Sequence, residues 1–136
     1  MPGAPGADMA PVVSRAPSSD SQAWLLIQLA HTLRRRGRCE DALDALELAV
    51  GVRMSTGAEL AAYACAVAVH LTAGDPETAR KVADSARRRA IDATLLRALG
   101  EEHLGLFHET AEPALLDEAF TCLELAALED SVARES

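Results

Sequence analysis

The stretch from Ala58 to Gly74, AELAAYACAVAVHLTAG, leaves this chain few ways to fold. It is apolar on every side, interrupted only by Glu59, His70 and Thr72, so no face of it can stay in water and other elements must cover it. It is shorter than the roughly 20 apolar residues that cross a bilayer. Its run of alanines favours helix over strand. The expectation is a central helix in a small all-α domain. Composition agrees, because 28 alanines and 19 leucines against ten valines and isoleucines suit helices that pack through small side chains. A chain of 136 residues makes one domain of this kind.

Local signals divide the chain into six helices. Ser19 to Gln22 has the S-x-x-Q form of a capping box and predicts the start of the first helix, which Gly37 ends with a left-handed exit. A second helix is expected from about Cys39 to Val52. Thr56 to Glu59, T-x-x-E, opens the central helix and Gly74 closes it. In DPETA, Asp75 is the expected N-cap and Pro76 takes the first helical position, giving a fourth helix that runs to about Ala90. The fifth begins near Asp92. Pro113 starts a sixth, whose apolar stripe is Leu116, Phe120, Leu123 and Ala127. The Pro, Gly, Ala and Ser content of residues 1–20 predicts a disordered tail without a secretion signal, and residues 129–136 read as a short C-terminal tail. The helical domain is expected over 21–128.

Charge and motifs narrow the function. The net charge of −8 conceals an asymmetry, since residues 101–136 hold ten acids against Arg134 alone. Nine of the thirteen bases lie between Arg34 and Arg38 or between Arg80 and Arg89, near helix C-termini, where they complement the helix dipole. Net acidity and only four aromatic residues argue against nucleic acid and for charged protein partners. Cys39, Cys65 and Cys122 form an odd set without C-x-x-C, as expected of reduced thiols in a cytoplasmic protein with no membrane span. His31, His70, His103 and His108 include no i, i+4 pair, so no metal site is expected, and His70 and His103 suit partly buried, hydrogen-bonded roles. No G-x-S-x-G, phosphate loop or nucleotide fingerprint is present, and Glu101 and Glu102 point about 100° apart on a helix. The reading is of a non-enzymatic protein without a cofactor.

The six helices repeat as pairs. Leu26, Leu29, Ala30 and Leu33 followed by Gly37, Ala42, Leu46 and Ala49 are matched by Tyr63, Ala66, Val67 and His70 followed by Gly74, Ala79, Ala83 and Ala86. A third unit has Leu96, Leu99, Gly100 and His103, then Ala119, Leu123 and Ala126. Sixteen residues separate the first anchor from the small residue of the second helix in units one and two, and twenty-three in unit three, which predicts about seven extra residues in its turn. Over residues 21–128 this resembles a tetratricopeptide-repeat domain, three antiparallel helix pairs stacked as a superhelix. The resemblance implies a concave surface lined by Trp24, Ile27 and His31 from the first pair, Ala61, Ala64 and Ala68 from the second, and Thr94, Arg97 and Glu101 from the third. The central alanines fit two roles equally. They leave a trough wide enough for a helix, or they let the helices pack closely. On the trough reading, Ala64→Arg or Ala68→Arg would block a partner and leave the fold intact.

From Leu71 to Phe107 the order of a glycine–aspartate turn at Gly74 and Asp75, an alanine-rich helix and a helix ending in His103-Leu104-Gly105-Leu106 resembles the small tetratricopeptide chaperones of bacterial type III secretion needles. That resemblance implies a cytoplasmic chaperone that holds the C-terminal amphipathic helix of a small polymerising subunit in its groove, with a second small helical co-chaperone as partner. A generic repeat adaptor that docks a peptide is the alternative.

Overall fold

The computed structural model describes residues 19–135. The expected tail over residues 1–20 therefore lies almost wholly outside the described residues. Six helices follow one another: α1 (Ser19–Arg35), α2 (Cys39–Val50), α3 (Thr56–Thr72), α4 (Pro76–Arg89), α5 (Ala93–Thr110) and α6 (Pro113–Glu135). Among the described residues there is no strand, and no helix is long and apolar enough to cross a membrane.

The turn chemistry explains most of the boundaries. Gly37 and Gly74 have φ of +76° and +82°, the left-handed conformation that only glycine adopts without strain. Asp75 caps α4 by accepting from the Thr78 N–H at 3.2 Å, with Pro76 at the first turn, and Asp92 caps α5 by accepting from the Leu95 N–H at 2.8 Å. The cap of α3 is Ser55, which accepts from the Ala58 N–H, one residue before the expected Thr56. Asp20 holds that turn from outside, accepting the Ser55 N–H at 2.9 Å.

Two expectations about the last pair are corrected. The extra residues of the third unit extend its helices instead of its turn: α5 runs farther past its anchor, where Leu106 is buried one turn beyond His103, and α6 starts farther ahead of Ala119. Only Ala111 and Glu112 join α5 to α6, with Ala111 left-handed at φ 61° and the Thr110 hydroxyl accepting the Glu112 N–H. α6 in turn continues through 129–135, which the sequence suggested as a tail.

Consecutive helices pack as α1 with α2, α3 with α4 and α5 with α6, while α3 also packs on α1, α2 and α5. α3 contributes to all three apolar clusters. Ala58, Ala61, Ala62, Cys65 and Val69 meet Ile27, Ala30, Ala42 and Ala49. Leu60 joins Ala86, Leu96, Leu99 and Cys122. Ala64, Val67 and Ala68 join Ala79, Ala83, Leu106 and Leu115. The close approach of α5 and α6 needs Gly100, where a Cβ would stand 3.1 Å from the Leu123 side chain and 3.3 Å from the Ala119 carbonyl.

Candidate functional site

On an α-helix, Ala61, Ala64 and Ala68 share one side, and Ala62, Tyr63 and Ala66 lie on the other. The structure treats the two sides differently. The first is covered. Ala61, Ala64 and Ala68 are buried, as is Ile27, so the alanines take the close-packing role and present no open trough. Small side chains there admit α1 and α5, and the C-terminal ends of these two helices are tied together across α3. Arg34 Nη2 lies 2.6 Å and Arg35 Nε 2.8 Å from the same carboxylate oxygen of Glu109. Arg34 is buried at 4% exposure, and its Nε has no hydrogen-bond partner. Of the other residues expected on a concave surface, His31 is half-buried, while Trp24, Thr94, Arg97 and Glu101 are exposed and do not converge with the alanines on one open surface. Trp24 donates to Asp20, and Arg97 pairs with Asp130 of α6 at 2.6 Å.

The second side of α3 is open. α2 and α4 both pack on α3 and leave between them a groove of about 370 Å³. Its apolar lining includes Leu43 and Val50 of α2, Met54 of the loop, Tyr63 and Ala66 of α3 and Val82 of α4, with Glu47, Glu59 and Arg89 as its charged residues. Arg89 pairs with Glu59 at 3.3 Å and sits 6.0 Å from the Tyr63 ring centroid, so the rim is held by an ion pair and a cation–π contact. The repeat spacing named Tyr63 and Ala66 only as anchors between helices and did not bring them together with Leu43, Val50, Met54 and Val82 as a surface. The signal available was Met54, an apolar residue between the expected second and third helices; Val52, expected to end the second helix, lies in the same loop because that helix stops at Val50.

The arginine clusters do more than complement dipoles. Arg87 reaches Asp84 and Glu118 of α6, and Arg38 pairs with Asp41 at 2.7 Å. The two arginine-rich segments thereby link α1 to α5 and α4 to α6.

The two buried thiols are neutral. Burial pushes the Cys65 thiol up to about 12, and Cys122 likewise, with Glu118 adding to the effect. Cys65 Sγ lies 3.5 Å from His31 Nδ1, but burial, with Arg34 and Arg35 next, holds the imidazole below its ordinary value. A protonated thiol beside a neutral imidazole is no thiolate nucleophile. Glu109 sits at about 2 through its hydrogen bonds from Arg35 and Arg34. Among the described residues, no three His, Cys, Asp or Glu side chains come together as metal ligands.

His103 is fully buried and its Nδ1 lies 2.9 Å from the Leu99 carbonyl. A carbonyl only accepts, so Nδ1 carries the proton and Nε2 is a buried lone pair with no partner. Burial lowers its pKa below the ordinary 6.5. A lowered folded-state value means the unfolded chain binds more protons, so stability is complete above about 6.5 and is lost as pH falls below it. Urea midpoints should therefore decline as pH falls below about 6.5, and His103→Gln should reduce that decline, the remainder coming from His31, whose value burial also lowers; Glu109 stays ionised over this range and does not contribute.

The fold and groove define a class, the domain of paired helices with an apolar cleft at its surface. No family model, curated protein or solved structure matches the chain.

Proposed function

We propose that this chain is a non-catalytic protein-binding domain, its pairs stacked in the tetratricopeptide manner, that holds an apolar face of a partner helix in the groove between α2, α3 and α4. The observation that carries the reading is the groove itself. Leu43, Val50, Met54, Tyr63 and Val82 offer apolar surface around the small floor residue Ala66, and the charged groups are confined to Glu47, Glu59 and Arg89. An apolar cleft with a polar rim is the form in which helical domains bind amphipathic helices, which anchor through residues at i, i+3 or i+4, and i+7.

The narrower reading, a cytoplasmic chaperone for a small polymerising secretion subunit, rests on the resemblance over Leu71–Phe107. Its physical logic is that a subunit whose amphipathic helix is held in a groove cannot assemble. The groove invoked here is on the opposite side of α3 from the one that resemblance implied.

The test is selection of helical peptides from a displayed library against the wild-type domain, followed by affinity measurements on two variants. Ala66→Phe fills the floor and Val50→Glu places a charge at the mouth, where Val50 is 68% exposed. Both should weaken the selected peptides by about tenfold or more, equivalent to about 1.4 kcal/mol, with melting curves little changed. Peptides that bind both variants as tightly as the wild type would remove the groove from the function. A needle-like subunit encoded beside this chain, and released by the same two substitutions, would separate the chaperone from the generic adaptor.

A further inference from the structure

We propose that the outer face of α6 is a second docking surface, built for a basic amphipathic helix of another protein. The buried side of α6 is Leu115, Ala119, Cys122 and Ala126. On the other side, Thr121, Leu125, Leu128 and Val132 follow one another at spacings of four, three and four, the seam of a coiled coil. Leu125, Leu128 and Val132 are 37, 62 and 63% exposed.

The flanks of this seam identify the occupant. Glu124 borders it on one side and Glu129 on the other, and neither enters an ion pair among the described residues; Asp117, one turn before Thr121, shares with it a cleft against α4 that also holds Arg80. Arg134 is the one base in residues 101–136, and it lies away from the seam by helical phase. A second copy of the chain fits poorly. Parallel α6 helices would set Glu124 against Glu129 of the other copy, and antiparallel ones would set Glu124 against Glu124 and Glu129 against Glu129. Anionic surfaces such as nucleic acid or an acidic membrane are repelled in the same way. A helix with leucine or isoleucine at the seam and lysine or arginine beside it matches both the apolar stripe and the charge.

The experiment uses two synthetic helical peptides of about three heptads with the same leucine and isoleucine seam, one flanked by lysine and arginine and the other by glutamate. Fluorescence anisotropy on the full chain should show the basic peptide binding at least about tenfold more tightly than the acidic one, with the preference shrinking at high salt. Leu128→Glu should abolish binding without altering the melt, since Leu128 is exposed. The double variant Glu124→Lys with Glu129→Lys should reverse the preference. Ala66→Phe should have no effect, which separates this surface from the groove between α2 and α4. Equal affinity for both peptides, no binding of either, or an unchanged preference in the double variant would each overturn the proposal. So would sedimentation showing a dimer that Leu128→Glu dissociates, because the occupant would then be a second copy.

Discussion

Ala64→Arg is expected to lower stability by more than about 4 kcal/mol and to leave the domain largely unfolded at room temperature. Ala64 has no exposed surface and is enclosed with Val67, Ala68, Ala83, Leu106 and Leu115. A guanidinium placed there meets no carboxylate, and an unpaired buried charge costs several kcal/mol. Forcing the longer side chain between close-packed helices adds about 1–3 kcal/mol of overpacking. Domains of this size have only about 5–15 kcal/mol to lose. Ala68→Arg should behave the same way. Circular dichroism and urea midpoints read the result directly, with Ala66→Arg, on the half-buried opposite side of α3, as the milder comparison. A cooperatively folded Ala64→Arg would mean that this side of α3 opens to solvent and that the concave trough expected from the repeat spacing exists.

Glu109→Gln is the second substitution with a large expected effect. Its carboxylate is the partner of a buried Arg34 and of Arg35. Losing the negative charge leaves the Arg34 guanidinium enclosed with its Nε already unsatisfied. Glu109 is itself about one-third exposed, so water offsets part of the loss, and a cost of roughly 1–3 kcal/mol is expected. Arg34→Met combined with Glu109→Gln should recover much of it, because removing both members eliminates the buried charge. The four midpoints of that cycle give the coupling between α1 and α5. A Glu109→Gln midpoint equal to the wild type would assign the closure over α3 to apolar packing alone.

The same pair shows where reading the sequence succeeded and where it stopped. Ala58–Gly74 is hydrophobic all round, so its central place followed from its own residues, and Asp75-Pro76 and Asp92 announced helix starts by local chemistry that needs no distant partner. The α3 cap was misplaced by one residue because Ser55 and Thr56 are both competent, and the contact that holds Ser55 comes from Asp20, 35 residues away. The larger correction has the same origin. Small residues at Ala61, Ala64 and Ala68 permit either an open trough or close packing, and spacing does not distinguish them. The choice goes with Arg34, Arg35 and Glu109, whose ion pairs span 74 and 75 residues. Clustered arginines near a helix end are fully explained by the dipole when the sequence alone is in view, so nothing local pointed to that clasp. The groove between α2 and α4 arises where two helices pack on a third, a shape with no single stretch of sequence to mark it beyond the apolar residue Met54 between two expected helices.

That α3 belongs to all three apolar clusters bears on how the chain comes apart. In an array whose units touch only their neighbours, end pairs can fray while the rest holds. Here the first and last pairs are each built on the same helix, and Arg34 and Arg35 tie them to one another as well. Exposing the backbone amides of α3 to solvent requires dismantling every cluster, so hydrogen exchange in α3 reports global unfolding, whereas the solvent-facing amides near the end of α6 exchange through local opening.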